Sequence, residues 1–189
     1  MAEFSKAYAR VREAEGDYAK HSADRGGETW KGIARVHHPS WPGWGIIDVA
    51  RGDPRFPKQL AEIPELQVLV EELYEELYWK RLEGDSLPQP LADRLFDVAV
   101  NMGTSRAMIF LQIGLNVLNR AESLWPEVKV DGVLGPATRH ARTAALLADE
   151  ALRLTDVVRH LAAARHIELA LQSPSQRVFI RGWLTRDAE

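Results

Sequence analysis

Two acidic residues near the amino terminus have the types and spacing for acid–base chemistry. Glu15 ends an apolar stripe predicted to form a helix over about residues 4–15. Burial and the negative end of a helix dipole both favour a protonated carboxyl group, which is what a general acid needs. The alternative is a solvent-facing glutamate at a frayed helix end.

Asp24 follows nine residues later in a polar, glycine-rich segment, where a carboxylate is expected to stay ionised. A protonated glutamate beside an ionised aspartate is the arrangement that cleaves glycosidic bonds. Thr29 could orient a water molecule through its hydroxyl group. In the alternative interpretation, Asp24 shapes the turn before Gly26-Gly27 and Thr29 bonds to the turn backbone.

Aromatic and polar side chains further along could line a cleft. Trp30 and Trp79 are candidates for stacking on sugar rings, although core filling is the alternative for each. Asp97 and Asn101 lie one helical turn apart, where they could line the same cleft or cap neighbouring backbone.

The elements that position these residues are mostly helices. Periodicity predicts an all-α fold with a small β-hairpin or loop region at 17–58, where glycine and proline concentrate. Thr104 is expected to be the N-cap of a helix. Apolar stripes predict helices over about 66–82 and 91–102, and further helices are expected over about 104–119 and 149–172.

The composition excludes several kinds of site. The 189 residues allow one large domain or one domain with an appendage. No cysteine is present, which excludes disulfides, a thiol nucleophile and cysteine-bound metals. His37-His38 is a weak metal signal without further ligands, and no phosphate-binding glycine loop occurs. We therefore expect neither a metal nor a cofactor.

The charge and hydropathy patterns limit the partners. The net charge of −3 argues against a nucleic-acid binder. Residues 1–100 hold 13 Lys/Arg against 18 Asp/Glu, whereas residues 101–189 hold 11 against 9. No apolar run reaches the 18 or so residues of a membrane span. The amino terminus lacks the features of a secretory signal, which predicts synthesis in the cytoplasm without a signal peptide.

Several motifs together resemble the glycoside hydrolase family 108 muramidases. The family opens with E-G-G-Y, then D-P-G-G-E-T, then G-I, and continues with L-F-D-x-A-V-N-x-G. The chain departs at Asp17, which replaces the second glycine, and at Arg25, which replaces the proline. The matching segments are 15–18, 23–29, 32–34, 78–79, 95–103, 110–112, 130–138 and 163–183.

The resemblance implies a lysozyme-like helical fold with a catalytic domain at 1–103 and a peptidoglycan-binding helical domain at 104–189. It implies hydrolysis of the β-1,4 bond between N-acetylmuramic acid and N-acetylglucosamine, with Glu15 as the general acid. Asp24 and Thr29 are expected to hold the attacking water or stabilise the developing charge. The lack of a clearly placed second nucleophile favours inversion of configuration.

Substrate-binding roles are expected for Tyr18, Trp30, Trp79, Asp97 and Asn101. The expected partner is the peptidoglycan glycan strand, bound by a monomer that reaches the cell wall by holin-type or other non-classical export. One alternative is a non-catalytic peptidoglycan-binding or secretion-associated module. Another is a peptidoglycan amidase or peptidase, which would require a metal.

Overall fold

The computed structural model describes residues 1–12, 18–20 and 27–188. The fold is mainly helical with a three-stranded antiparallel sheet, which confirms the predicted class. The chain divides into two compact units. We call Phe4–Leu77 the hairpin unit, and Met1–Glu3 with Tyr78–Glu189 the helical unit. Within the described ranges, no helix combines the length and apolar character needed to cross a bilayer.

The hairpin unit begins with a helix and a small sheet. Its strands pair in the order β1-β2-β3, with Trp30 opposite Ile33. Lys31 and Gly32 between them both have positive φ, the conformation of a tight two-residue hairpin turn. The elements are α1 (Phe4–Arg12), β1 (Tyr18–Lys20), β2 (Glu28–Trp30), β3 (Ile33–Ala34), α2 (Gly43–Ala50), a 3₁₀ helix (Lys58–Glu62) and α3 (Pro64–Tyr74).

The core of the hairpin unit joins α1 to the sheet turn through α3. Tyr8 on α1 packs edge-on against Tyr74 on α3, with ring centroids 5.5 Å apart. The Tyr74 hydroxyl donates to the backbone carbonyl of Lys31, 2.9 Å away, in the turn between β2 and β3. These contacts fix the position of the turn between β2 and β3.

Helix α2 corrects the expectation for part of the 17–58 region. The sequence predicted only turns and strands there, but Gly43–Ala50 is helical. Its first turn packs through Trp44, whose indole N–H donates to the His38 carbonyl over 2.7 Å. Glycines at 43 and 45 lower the intrinsic helix propensity of this segment, and tertiary packing outweighs that propensity.

The helical unit is built around three long helices. Helices α5, α6 and α8 pack on one another, and α9 packs on α8. The apolar stripe of α5 includes Leu91, Leu95 and Phe96, all fully buried. Its elements are α4 (Lys80–Leu82), a 3₁₀ helix (Gly84–Ser86), α5 (Gln89–Met102), α6 (Thr104–Leu118), α7 (Pro136–Leu147), α8 (Ala151–Gln172), a 3₁₀ helix (Pro174–Val178) and α9 (Ile180–Ala188); a π-helix (Glu75–Trp79) follows α3.

A buried amide on α6 holds the loop that precedes α7. The Gln112 side chain is fully buried. Its oxygen accepts from the backbone N–H groups of Asp131 and Gly132, at 3.0 and 2.9 Å. Its nitrogen donates to the Val133 carbonyl and to the Thr138 hydroxyl, at 3.0 and 3.2 Å. One side chain therefore satisfies the backbone of three consecutive loop residues.

Candidate active site

The two predicted catalytic carboxylates, Glu15 and Asp24, lie outside the described residues. What can be described is the framework on either side of them. Helix α1 ends at Arg12, β1 begins at Tyr18, and β2 begins at Glu28. The connections that carry Glu15 and Asp24 are therefore anchored by α1 and by the two paired strands.

Thr29 is the central residue of β2. Side chains alternate between the two faces of a strand, and Glu28 and Trp30 are both buried while Thr29 is half-buried. Thr29 therefore lies on the opposite face from Glu28 and Trp30. Its cross-strand partners are Ala19 on β1 and Ala34 on β3, whose side chains are single methyl groups.

Glu28 is a buried charge that the sequence did not single out. Its carboxylate accepts from the Tyr18 hydroxyl, which lies 3.0 Å from Oε1. Arg51 pairs with the same oxygen, and the Nε of Arg35 lies 2.9 Å from Oε2. The glutamate of the GGET segment was a visible signal, but its arginine partners lie 7 and 23 residues further on and are not predictable from spacing.

A second carboxylate completes this ionic cluster. Arg35 donates to both oxygens of Asp48, at 2.7 and 3.0 Å, and Arg51 donates to Asp48 over 3.2 Å. The hydrogen bonds from Arg35 lower the pKa of Asp48, and the bond from Arg51 adds to this effect. Two arginines thus face two carboxylates, which compensates the buried charge on β2. We call Glu28, Arg35, Asp48 and Arg51 the hairpin cluster.

Tyr18, predicted to bind substrate, is part of the framework of the sheet. Its ring packs edge-on against Phe56, with centroids 4.9 Å apart. Burial raises the pKa of the Tyr18 hydroxyl, and the hydrogen bond to Glu28 raises it further. The hydroxyl therefore stays protonated and acts as a donor to Glu28. A role in binding substrate stays a prediction for this residue.

The two predicted sugar-stacking tryptophans lie in the cores of their units. Trp30 is 1% exposed in the hairpin unit, and Trp79 is 0% exposed in the helical unit. Trp79 packs edge-on against Phe96 and donates its indole N–H to Asp85, 2.9 Å away. Neither ring has a face exposed to a ligand. This burial favours the alternative interpretation, in which both tryptophans fill the core.

Asp97 and Asn101 lie together on α5, as their spacing predicted. The amide of Asn101 donates to the Asp97 backbone carbonyl and side chain, at 2.8 and 3.1 Å. Arg186 on α9 donates to Asn101 and lies 3.4 Å from Asp97, while Arg94 lies 3.6 Å from it. Burial raises the pKa of Asp97, against the opposing effect of these two arginines. Both side chains connect α5 to α9, and their contact with substrate stays a prediction.

The predicted site residues are thus divided between the two units. Thr29 and Tyr18 lie on neighbouring strands of the hairpin unit, and Tyr18 donates to Glu28, the residue that precedes Thr29 in β2. Trp79, Asp97 and Asn101 belong to the helical unit.

Comparison with known families decides what kind of protein carries this framework. The profile described as Glycosyl hydrolase 108 matches residues 8–103, just over half of the chain. The chain belongs to the glycosyl hydrolase 108 family. A second profile, described as a "Predicted Peptidoglycan domain", matches residues 106–188 of this family member. Together the two matches describe a glycoside hydrolase that acts on peptidoglycan and carries a peptidoglycan-binding domain.

A solved structure supports the same assignment for this glycosyl hydrolase 108 protein. The structure entitled "Structure of Brucella abortus SagA" is 26% identical in sequence, with a TM-score of 0.61. The similarity covers 98% of this chain and 89% of that one, so it extends over both matched regions. No curated protein matches the chain.

Proposed function

We propose that this glycosyl hydrolase 108 protein is a muramidase that hydrolyses the β-1,4 bond between N-acetylmuramic acid and N-acetylglucosamine. The observation that carries the proposal is the family match over residues 8–103, which includes Glu15, Asp24 and Thr29. The described framework supports it, because the paired strands anchor both ends of the segment that contains Asp24.

In the proposed mechanism, Glu15 is the general acid that protonates the glycosidic oxygen. An oxocarbenium-like transition state develops on the muramic acid ring. Asp24 and Thr29 hold the attacking water or stabilise this charge. The half-buried face of β2 suits that role, since the cross-strand partners of Thr29, Ala19 and Ala34, carry only methyl side chains.

The proposal is tested by Glu15→Gln with Glu13→Gln as the matched control. Loss of a general acid typically costs about 100-fold or more in rate. We therefore expect Glu15→Gln to release almost no new reducing ends from purified peptidoglycan, while Glu13→Gln acts at the wild-type rate. Reducing ends released by Glu15→Gln at a rate close to wild type would overturn the assignment.

The second candidate is a non-catalytic peptidoglycan-binding module, which the profile match over 106–188 favours. Such a protein would sediment with insoluble peptidoglycan and release nothing from it. An amidase or peptidase would instead release free amines. Mass spectrometry of the digest separates the three, because a muramidase leaves N-acetylmuramic acid at each new reducing end.

A further inference from the structure

The hairpin unit contains an open cavity of about 710 Å³ beside α2. We call it the α2 cavity. The described residues that line it include none of the predicted site residues. Its volume lies within the range typical of small-molecule and peptide-side-chain sites. Most of its wall is apolar, formed by Ile46, Val49, Ala50 and Ile63.

The rim of the α2 cavity carries a net negative charge. Arg55 donates to Asp53 and to Glu62, at 3.2 and 3.0 Å, so one guanidinium group faces two carboxylates. The backbone N–H of Arg55 also donates to Asp53 over 2.8 Å, and this bond is the main cause of a lowered pKa for Asp53. Asp53 is therefore ionised at neutral pH, and the formal charges of Asp53, Arg55 and Glu62 sum to one negative charge.

A buried amide on the same wall contains an acceptor for which the described residues supply no donor. Gln59 is 5% exposed, and its nitrogen donates to the Ala50 carbonyl over 2.9 Å. That bond fixes the orientation of the amide. The Gln59 oxygen is buried, and no described residue donates to it. Buried polar atoms are normally hydrogen-bonded, so this oxygen is an unsatisfied acceptor within the wall of the cavity.

We propose that the α2 cavity binds the peptide of peptidoglycan, taking a diamino-acid side chain by its aliphatic chain and its terminal ammonium group. The apolar wall matches the methylene groups, and the spare carboxylate charge matches the ammonium group. A glycan strand alone carries hydroxyl and acetamido groups but no cation, so it leaves the charge unused. The proposal rests on the proposed function for its choice of polymer.

Gly45 allows the cavity to be filled without disturbing its walls. It lies in α2 and lines the cavity, and a Cβ added there would meet nothing within 4 Å. Leucine is also a better helix former than glycine. Gly182 in α9 is a matched control, because a Cβ there also meets nothing and it does not line the cavity.

The test is a titration of the full chain with a synthetic stem tetrapeptide that has lysine as its third residue. We expect Gly45→Leu to weaken binding at least 10-fold by calorimetry and Gly182→Leu to leave Kd unchanged. Acetylation of the lysine amine should weaken binding to wild type. Circular dichroism melting of each variant checks that it is folded.

A second pair of variants tests the charge independently of the cavity volume. Glu62 on the rim is exposed, as is Glu65 on the first turn of α3. One exposed charge contributes up to about 1 kcal/mol, or a factor of about 5 in Kd. We expect Glu62→Gln to weaken tetrapeptide binding about 3-fold and Glu65→Gln to have no effect. This pair keeps the test decisive if Gly45→Leu fails to fold.

Three results would overturn the proposal: equal binding of the acetylated peptide, unchanged binding by Gly45→Leu, or equal Kd values for Glu62→Gln and Glu65→Gln. The tetrapeptide has no glycosidic bond, so its Kd is independent of catalysis. Failure of the proposed muramidase activity would show in the reducing ends released by the wild type. The two failures are therefore distinguishable.

Discussion

Glu28 shows how a charge can be buried next to the segment that contains the proposed catalytic residue Asp24. The carboxylate has little contact with water, which is replaced by the Tyr18 hydroxyl and by ion pairs with Arg35 and Arg51. Both arginine side chains remain about one-third exposed, so the hairpin cluster reaches from the sheet to solvent. Because Glu28 and Thr29 are consecutive in β2, the ionic contacts of one set the position of the other.

Glu28→Gln is expected to lower the free energy of unfolding by about 1–3 kcal/mol, because two guanidinium groups lose their buried partner. Urea denaturation measures the change. Glu65→Gln, an exposed glutamate in the same unit, should change it by less than about 0.5 kcal/mol. Equal effects of the two substitutions would mean that the hairpin cluster does not stabilise the sheet.

Substitutions of Thr29 and Asp24 should lower turnover more than stability, whereas substitution of Glu28 is expected to lower stability. We expect Thr29→Val and Asp24→Asn each to lower kcat about 10-fold or more, because the attacking water loses a ligand. Thr29→Ser retains the hydroxyl group and should recover most of the activity. If Thr29→Val and Thr29→Ser release reducing ends equally fast, the hydroxyl has no part in the reaction.

At the scale of elements, a single glutamate joins α4 to α7. Glu83 ends α4 and accepts from Arg139 and Arg142 of α7, each over 2.7 Å. Arg142 is buried and also donates to the Leu82 carbonyl. Burial would raise the pKa of Glu83, but the hydrogen bonds from Arg139 and Arg142 outweigh it and lower the pKa.

The lowered pKa of Glu83 predicts a pH-dependent contribution to stability. A carboxyl group with a lower pKa in the folded state stabilises the fold above its unfolded pKa, near 4.5, and loses this effect as the pH falls through the folded value. Glu83→Gln should therefore cost about 1–2 kcal/mol at pH 7 and progressively less below pH 4.5. Urea denaturation from pH 7 to pH 3 measures the difference.

Glu127→Gln is the control for this series, since Glu127 is an exposed glutamate of the same unit. Its free energy of unfolding should follow that of the wild type at every pH. A constant offset between Glu83→Gln and wild type across the whole range would contradict the linkage and point to a purely steric effect.

Helix periodicity in the sequence was enough to predict the long helices of the helical unit. The helices predicted over 91–102 and 149–172 correspond to α5 and α8, each of which buries residues at helical spacing. Thr104 was wrongly predicted as an N-cap, since Gly103 with a φ of 88° occupies that position. Capping depends on backbone conformation, which composition does not specify.

The candidate site was less predictable than the helices for a physical reason. Asp97 and Asn101 were placed together by helical spacing, which is a local property. The contacts of Glu28 with Arg51 and of Asp97 with Arg186 join residues far apart in the chain. A single sequence does not encode which distant arginine compensates which carboxylate.

At the scale of the whole molecule, two different boundaries divide the chain. The family profiles match residues 8–103 and 106–188, whereas the compact units meet between Leu77 and Tyr78. Helices α5 and α6 fall on opposite sides of the boundary between the two profile matches. They nevertheless pack against each other in the helical unit. A domain boundary at 103/104 stays a prediction, and cutting there would expose the packed faces of both helices.

Wall binding and wall cleavage should be separable in the full chain. We expect Glu15→Gln to sediment with insoluble peptidoglycan as completely as the wild type while solubilising none of it, because the match over 106–188 is retained. Pelleting followed by gel analysis measures binding, and turbidity measures cleavage. Loss of binding in Glu15→Gln would show that the proposed acid also anchors the polymer.

The way Gln112 holds the loop before α7 has a consequence for how the surface of that loop can evolve. Its course is set by a buried amide that bonds to backbone groups at 131, 132 and 133 and also donates to the side chains of Asp131 and Thr138. Val130 and Val133 are exposed on that loop and contribute no side-chain hydrogen bond to it. The path of the loop and its exposed surface are therefore encoded in different residues, so Val130 and Val133 can be exchanged while the loop keeps its path.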